Sequence, residues 1–484
     1  MHEPDEHPPS AIADRDIPLC IDLDGTLLRS DLLLESALSL LRRNPFYLLY
    51  FVVWLIRGKA QLKREIALRA SVDVTLLPYD ARVLTWLRGE NTGRGKVLCS
   101  ASDKLLVDAV ANHIGGFDAV LASDGLVNLS GARKAQALVE NYTERGFDYA
   151  GNARPDMQVW AHARHTIVVN ASPALLRRAQ KTFSVTRVFA REKSGLRIWV
   201  RALRLHQWLK NLLIFLPLLA AHMLFAPQAI QRSVLAFFCF GLCASGVYLL
   251  NDLLDLESDR RHPRKCLRPF AAGTLSLVAG LIAAPLLALV SFALALLLSP
   301  LFAAVLLGYY ALTLAYSFAL KRIAMLDAIV LGALYTVRIV AGTVAIRTAL
   351  SFWLLAFSMF LFLSLAMLKR YTELRGLRDA GQTEASGRGY AVDDLPLIES
   401  LGGSSGFLSV LVLALYINST ASEVLYRHPQ ILWMLCPLLL YWVSRAWLIA
   451  HRGAMHDDPV VFALLDRVSR FILVLCGAAI VGAI

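Results

Sequence analysis

Residues 248–269 read YLLNDLLDLESDRRHPRKCLRP. The stretch leaves an apolar run long enough to cross a membrane and ends among five cations, Arg260, Arg261, Arg264, Lys265 and Arg268. Between them stand Asn251, Asp252, Asp255 and Asp259. Spacings of three and four put the three aspartates on one face of a helix or its extension. Carboxylates that close repel one another unless a cation sits among them. Oxygen-rich sites suit Mg2+, which binds through a few carboxylates together with substrate phosphates. Lys265 and Arg268 suit the remaining phosphate charge. The pattern predicts a magnesium–diphosphate cradle at the mouth of a membrane bundle. The plainer alternative is a set of ordinary loop charges at a membrane surface.

The rest of the chain agrees with a membrane setting. Of its 484 residues, 57% are hydrophobic and 18% charged, where a soluble protein carries about 25% charge. Mean hydropathy is +0.53. Charges run throughout residues 1–200, whereas 209–484 is a series of apolar runs. Nine of these are long enough to span: 210–226, 232–250, 274–298, 301–319, 326–346, 351–368, 402–420, 430–448 and 467–484. Cations crowd alternate loops: the five above, then Lys321 and Arg322, then Lys369, Arg370, Arg375 and Arg378. The positive-inside rule assigns those loops to the cytoplasm of a bacterial-type inner membrane. The start, MHEPDEHPPSAIADRD, has neither a basic n-region nor an apolar h-region, so the N-terminal half is expected to stay in the cytoplasm. Seven scattered cysteines without metal spacing read as free thiols. The net charge of +12 fits topology, anionic lipid or phosphorylated substrates. Nucleic acid is not expected.

The segment NDLLDLESDRRHPRKCLRPFAAG resembles the first Asp-rich signature, NDxxDxxxD, of the UbiA superfamily of intramembrane transferases. The resemblance covers about 200–484 and implies nine transmembrane helices with a Mg2+-dependent diphosphate site. The second family motif falls on YSFALKRIAMLDAIVLG, where Asp327 is followed by Leu331 in place of a second aspartate. Tyr316 and Lys321 accompany it. This departure is similar to the branch that transfers 5-phosphoribose from phosphoribosyl diphosphate to a polyprenyl phosphate. By that resemblance Asp252, Asp255 and Asp259 hold Mg2+ on the leaving diphosphate, beside Asn251. Lys265, Arg268, Lys321 and Tyr316 then meet phosphates. Arg338, costly inside a span, is expected to face a cavity and take the acceptor phosphate, with snorkelling or a structural pair as its alternative. The cluster Lys369, Arg370, Tyr371 and Glu373 gates the site or only sets topology. His206, Trp208 and Lys210 read as an interfacial anchor.

In the N-terminal half, IPLCIDLDGTLLRSD is a strand-like run ending in Asp22-Leu23-Asp24-Gly25-Thr26, the position where open α/β sheets hold ligands. It resembles the DxDGT motif of haloacid dehalogenase-like (HAD) phosphatases. The resemblance makes Asp22 the nucleophile and Asp24 the general acid/base. Ser100 in GKVLCSAS and Lys134 in GARKAQAL match the second and third motifs as phosphate ligands. Asn152 and Asp156 in GNARPD match the metal-binding fourth, which with Asp22 and Asp24 completes a Mg2+ set. Asn152 departs from the usual aspartate, which weakens metal binding and leaves a degenerate domain as an alternative.

The expected architecture is therefore a soluble Rossmann-like α/β HAD domain followed by an α-helical polytopic membrane bundle. A polar tail (1–16) precedes the HAD domain (17–171), which carries a small cap at 31–80. A basic juxtamembrane linker (172–200) leads to the transferase bundle (201–484). The segment NPFYLLYFVVWLIRG within the cap suits interfacial docking. The expected reaction is phosphoribosyl transfer to a lipid phosphate at the cytoplasmic face, with the HAD domain removing the 5-phosphate. Alternatives are a prenyltransferase acting on an aromatic or other small acceptor, and a non-catalytic lipid-binding scaffold. A homo-oligomer is compatible with the sequence.

Overall fold

A computed structural model describes residues 17–89, 93–192, 195–383, 388–455 and 459–484. The chain falls into two compact units, Met1–Ala202 with Leu249–Ile282, and Leu203–Tyr248 with Ala283–Ile484.

The first unit is built on a six-stranded sheet: β1 (Leu19–Asp22), β2 (Lys96–Asp103), β3 (Ala119–Ser123), β4 (Asp148–Gly151), β5 (Thr166–Val169) and β6 (Val185–Phe189). The strands run in the order β3-β2-β1-β4-β5-β6 and all pair in parallel, with Leu19 opposite Lys96 on one side and Asp148 on the other. Parallel strands are covered on both faces and read as continuous apolar runs. LCID of β1 is buried at every residue. Leu19 and Ile21 pack with Leu98, Val107 and Ile167, while Cys20 packs on the other face with Val97, Phe147 and Trp160.

The sheet continues beyond the expected boundary at 171. Ser172 accepts from Leu175 N and starts the helix Pro173–Thr182, and β6 then pairs with β5. The basic segment is thus largely part of the α/β domain, not a linker. Its Ser-Pro start is a helix signature, and β6 carries one cation, the half-buried Arg187, whose guanidinium lies 5.5 Å from the Trp86 ring. Residues 31–80 form the helices Leu32–Arg43, Tyr47–Ile56 and Lys59–Arg69, with a short 3-10 turn at Val74–Leu76.

At the start of β4, Asp148 receives hydrogen bonds from Arg164 (3.0 Å) and from Arg94. Burial raises this carboxyl, but the two guanidinium groups outweigh it and hold Asp148 below the usual range. A depressed native pKa adds stability above the unfolded value, near about 4, that is lost as pH falls through the native one. Asp148→Asn is therefore expected to destabilise the α/β domain at pH 7 and to cost progressively less below pH about 4. Thermal midpoints across that pH range check this; a cost independent of pH would refute it.

Seven helices are long and apolar enough to cross a membrane among the described residues. They are Pro227–Leu254, Leu277–Leu298, Pro300–Phe318, Leu326–Ile346, Phe352–Asp379, Val392–Ile417 and Pro429–His451. Two of the nine expected spans take another form. The first is 3-10 over Leu205–Phe215 and only then a short α-helix, Leu216–Ala220. The last, Arg467–Ala483, has 17 residues, about 25 Å against a hydrocarbon core of about 30 Å. The Gly/Ser-rich seventh expected run is a full helix. A Cβ on Gly402 would lie 2.3 Å from the Trp447 ring, and one on Gly406 2.6 Å from Val443. The small residues let helices approach closely, as membrane packing favours.

Candidate functional site

Two sets of candidate residues lie in the first unit. The first gathers at the C-terminal ends of β1, β2 and β4. Lys134 Nζ donates to Asp22 Oδ1 (2.6 Å) and to the Tyr149 hydroxyl (3.0 Å), which donates to Asp156 Oδ1 (3.0 Å). The other Asp156 oxygen accepts from the backbone N–H groups of Asn152 and Ala153, each at 2.9 Å. Asp24 Oδ2 accepts from Ser100 Oγ (3.0 Å) and Ser102 Oγ (2.8 Å), and Oδ1 from Leu32 N (2.7 Å). Gly25 adopts φ +77° against the Asn152 amide, and a Cβ there would lie 1.9 Å from Nδ2. Only glycine fits that turn. Asp22, Asp24, Ser100, Lys134, Asn152 and Asp156, drawn from segments up to 134 positions apart (156 − 22), thus form one constellation.

Its electrostatics follow from burial. Burial pushes Asp22 up to about 7 against the pull of Lys134, with Asp156 and Asp24 adding to the rise. Burial opposes charge on Lys134 too, but Asp22 and Asp156 overcome it and keep the ammonium charged. Tyr149 and Ser102 were not anticipated. Ser102 lies two residues beyond Ser100, so the period of two along β2 places both on one face. Tyr149 carries no such local signal.

The second set is the Asp-rich segment. The helix Pro227–Leu254 breaks at Asp255 (φ −96°, ψ 14°) before the short helix Leu256–Arg261. This break divides the expected triad. Asp252 and Asp259, both buried, share Arg268 Nη1 at 3.2 and 2.6 Å. Asp255 is half-exposed and stands 3.7 Å from Arg42. Burial raises Asp259, with Arg268 pulling the other way. A cation does sit among these carboxylates, and in this structure it is Arg268. Lys265 lies in the exposed 3-10 turn Lys265–Leu267, and Asn251 accepts on its carbonyl the Asp255 N–H at 2.9 Å.

This segment is clamped to the α/β domain. Arg260 grips Glu35 with two bonds, 3.1 and 2.6 Å, and donates to the Ala271 carbonyl at 2.9 Å. Both side chains are nearly fully buried, 8% and 4% exposed. Removing one partner of such a pair strands a buried charge and costs about 3–5 kcal/mol. Glu35→Ala is expected to lower the thermal midpoint and open residues 262–275 to protease. An unchanged cleavage pattern would refute the clamp.

The second unit holds two further clusters. Asp327, fully buried, accepts from Tyr316 OH (2.8 Å) and Arg370, and Arg370 also donates to Glu373 (2.5 Å). Arg388 Nη1 lies 3.5 Å from Asp327. Lys321 lies in the 3-10 turn Leu320–Arg322. Arg370 is thereby part of a buried network rather than a loop charge. The second cluster is around Arg338, 4% exposed, which donates to Asn211 Oδ1 (2.9 Å), Tyr309 OH (3.0 Å) and the Leu334 carbonyl. All three acceptors are neutral. Asn211 Nδ2 is buried with no hydrogen-bond partner among the described residues. Lys210 Nζ lies 5.6 Å from the Tyr335 ring. Contrary to the expected interfacial anchor, Lys210 is buried and Trp208 donates to Ser245 Oγ at 3.0 Å.

Among the described residues no three His, Cys, Asp or Glu side chains form a ready metal cage. Mg2+ does not need one, since it commonly uses one or two carboxylates with waters and substrate phosphates. Asp252 and Asp259, already arranged around a cation, fit that requirement. Asp22 with the Asn152 amide is a weaker donor pair, because an amide oxygen carries no charge and both Asp22 oxygens already accept, from Lys134 and from Thr26.

The seven candidate spans make this an integral membrane protein with an α/β parallel-sheet domain. Residues 214–473 match the UbiA prenyltransferase family, and the chain belongs to that family. An uncharacterized protein of Sinorhizobium fredii, y4nM, is 38% identical over 97% of this chain and 92% of its own length. The decaprenyl-phosphate phosphoribosyltransferase of Mycobacterium tuberculosis is 31% identical over 59% of this chain and 93% of its own. A solved UbiA homolog from Archaeoglobus fulgidus, bound to GPP and Mg2+, aligns with TM-score 0.45 at 16% identity, over 59% of this chain and 99% of that one.

Proposed function

We propose that the membrane half transfers 5-phosphoribose from phosphoribosyl diphosphate to a polyprenyl phosphate in a Mg2+-dependent reaction at the cytoplasmic face. The observation that carries this reading is the shared grip of Asp252 and Asp259 on Arg268, which keeps two buried carboxylates together around positive charge. The 31% identity to a phosphoribosyltransferase over nearly all of that enzyme's length supports it. A lipid phosphate oxygen attacks ribose C1 as the bond from C1 to the diphosphate oxygen breaks. Positive charge builds on the sugar and negative charge on the departing diphosphate, so the site's work is positioning and charge stabilisation. Mg2+, when bound, supplies neutralisation of the leaving diphosphate, with Asp252 and Asp259 holding it and Asp255 nearby in sequence. Arg268 and Lys265 take diphosphate oxygens, and Lys321 the 5-phosphate. Tyr316, engaged by Asp327 and Arg370, is a positioning residue in this scheme. Among the described residues Arg338 has only neutral partners and Asn211 Nδ2 has none, so an anion gains charge-assisted bonds there. These residues suit the acceptor phosphate.

The α/β domain, in the same proposal, is a HAD-like phosphatase that removes the 5-phosphate of that product. Asp22 attacks phosphorus and the ester P–O bond breaks, while Asp24 gives a proton to the departing alkoxide oxygen. Water then attacks the aspartyl phosphate, Asp24 takes its proton, and phosphate leaves with Asp22 restored. Lys134 offsets the phosphate charge. Mg2+ held by Asp22 and Asn152 would share that task.

Incubating the purified protein with Mg2+, phosphoribosyl diphosphate and polyprenyl phosphate, followed by mass analysis of the lipids, tests both halves. A lipid gaining phosphoribose supports the transferase, and one gaining ribose supports the phosphatase as well. No sugar-bearing lipid, with turnover of a prenyl diphosphate and an aromatic acceptor instead, would replace this reading by prenyl transfer. No turnover of either set would favour a scaffold.

A further inference from the structure

The cavity at the strand ends has a volume of about 620 Å3, and one wall of it comes from outside the α/β sequence. Asp22, Asp24 and Lys134 line it together with Thr274, Ser276, Leu277 and Val278. Leu277 and Val278 are the first two residues of the candidate span Leu277–Leu298. The end of a spanning helix lies at the boundary between hydrocarbon and water. The phosphate-handling groups and the first turn of a membrane helix thus share one cavity.

The wall is held firmly. Gly273 adopts φ +67° flush against the domain, where a Cβ would lie 2.8 Å from Arg29 Cβ and 3.2 Å from Pro78 Cβ. The buried pair Arg260–Glu35 fixes the same segment thirteen residues upstream (273 − 260). A second feature of this unit points the same way. The helix Tyr47–Ile56, YLLYFVVWLI, exposes Phe46, Leu49 and Ile56 at its surface by 67% or more. Arg42, Arg43, Arg57 and Lys59 flank it. Ten residues make about 15 Å of helix, half a bilayer core, so its place is in the interface with its cations at anionic headgroups.

We propose that the substrate of this cavity is a membrane-anchored phosphomonoester. Its phosphate lies at Asp22 and Lys134, its polar body at Thr274 and Ser276, and its hydrocarbon tail leaves past Leu277 and Val278 into the bilayer. The proposal rests on the phosphatase reading above, which already makes the substrate lipid-linked, and adds the element of this cavity that recognises the lipid. It makes the interhelical segment 273–278 the specificity element of the α/β domain.

The test uses the full chain in vesicles of phosphatidylcholine and phosphatidylglycerol. The probes are farnesylphosphoryl ribose 5-phosphate in the bilayer, ribose 5-phosphate in water, and p-nitrophenyl phosphate as a general substrate. The lipid-linked probe is expected to have a kcat/KM at least about a hundredfold above that of ribose 5-phosphate, since the tail adds binding that the soluble compound lacks. Diluting it with inert phospholipid at constant bulk concentration should slow the reaction. Leu277→Asp, and the milder Thr274→Val, should each lower the ratio of the two kcat/KM values, by about tenfold for Leu277→Asp. Equal rates on soluble and lipid-linked probes, with no effect of surface dilution, would overturn the proposal while leaving the phosphatase intact. Failure to hydrolyse all three probes would overturn the phosphatase reading and this proposal with it. The dilution arm needs no variant, so misfolding of Leu277→Asp does not decide the result.

Discussion

Asp252→Asn is expected to lower phosphoribosyl transfer by at least about a thousandfold, and Asp259→Asn by a similar factor. Both carboxylates are buried and both hold Arg268. Replacing either with a neutral amide removes a carboxylate that would hold the Mg2+ needed to neutralise the leaving diphosphate, in surroundings where water cannot compensate. Asp255→Asn should cost less, about ten- to a hundredfold, because its side chain is 27% exposed and stands nearer Arg42. Initial rates at saturating phosphoribosyl diphosphate, over a range of Mg2+ concentrations, measure this ranking. An Asp252→Asn protein that is monodisperse and keeps more than about a tenth of the activity would sink the assignment. Arg268→Ala sharpens the test. Without the guanidinium, Asp252 and Asp259 repel one another in metal-free protein, so this variant should melt lower than wild type in chelator and recover with Mg2+.

The second large effect is expected from Asp22→Asn, which should abolish phosphatase turnover and leave transfer intact. The lipid product would then keep its 5-phosphate. An amide in place of the Asp22 carboxylate preserves shape but cannot attack phosphorus, and the loss should be at least about ten-thousandfold. Asp24→Asn should also stop release of the alcohol, since an amide cannot give the proton that the proposed scheme asks of Asp24, whose place is fixed by the hydrogen bonds it accepts from Ser100 and Ser102. Mass spectra of the lipids from both variants decide the matter. Dephosphorylated product at the wild-type rate from Asp22→Asn would remove the α/β domain from the reaction.

Much of this was legible in the chain. The apolar runs announced the bundle because a span must satisfy its own backbone, which only long helices and closed barrels do. DLDGT and GNARPD lie at the ends of β1 and β4, where a parallel sheet holds ligands, with Ser100 on β2 and Lys134 in the first turn of the helix Ala132–Tyr142. The edge strand β6 is hard to see because it is only five residues long and lies within the cation-rich segment 172–200. The first expected span was misjudged because hydropathy counts apolar residues without registering Pro217 or the buried Lys210 and Asn211 within it. Spacing alone makes the Asp-rich triad one helical face because it assumes an unbroken helix. The turn at Asp255 ended that equivalence.

From the sequence alone came the kinds of group present: clustered carboxylates, cations beside them, and apolar length for a membrane. These depend on composition and on local period, both of which survive in one dimension. Tertiary structure decided which partners meet. Arg260 finds Glu35 across 225 positions, Arg370 finds Asp327 across 43, and residues 273–278 become a wall of a cavity begun at Asp22. No periodicity encodes those pairings. The two ion pairs arise because a buried charge costs less beside a counter-charge than alone, and packing of distant segments determines which counter-charge is within reach.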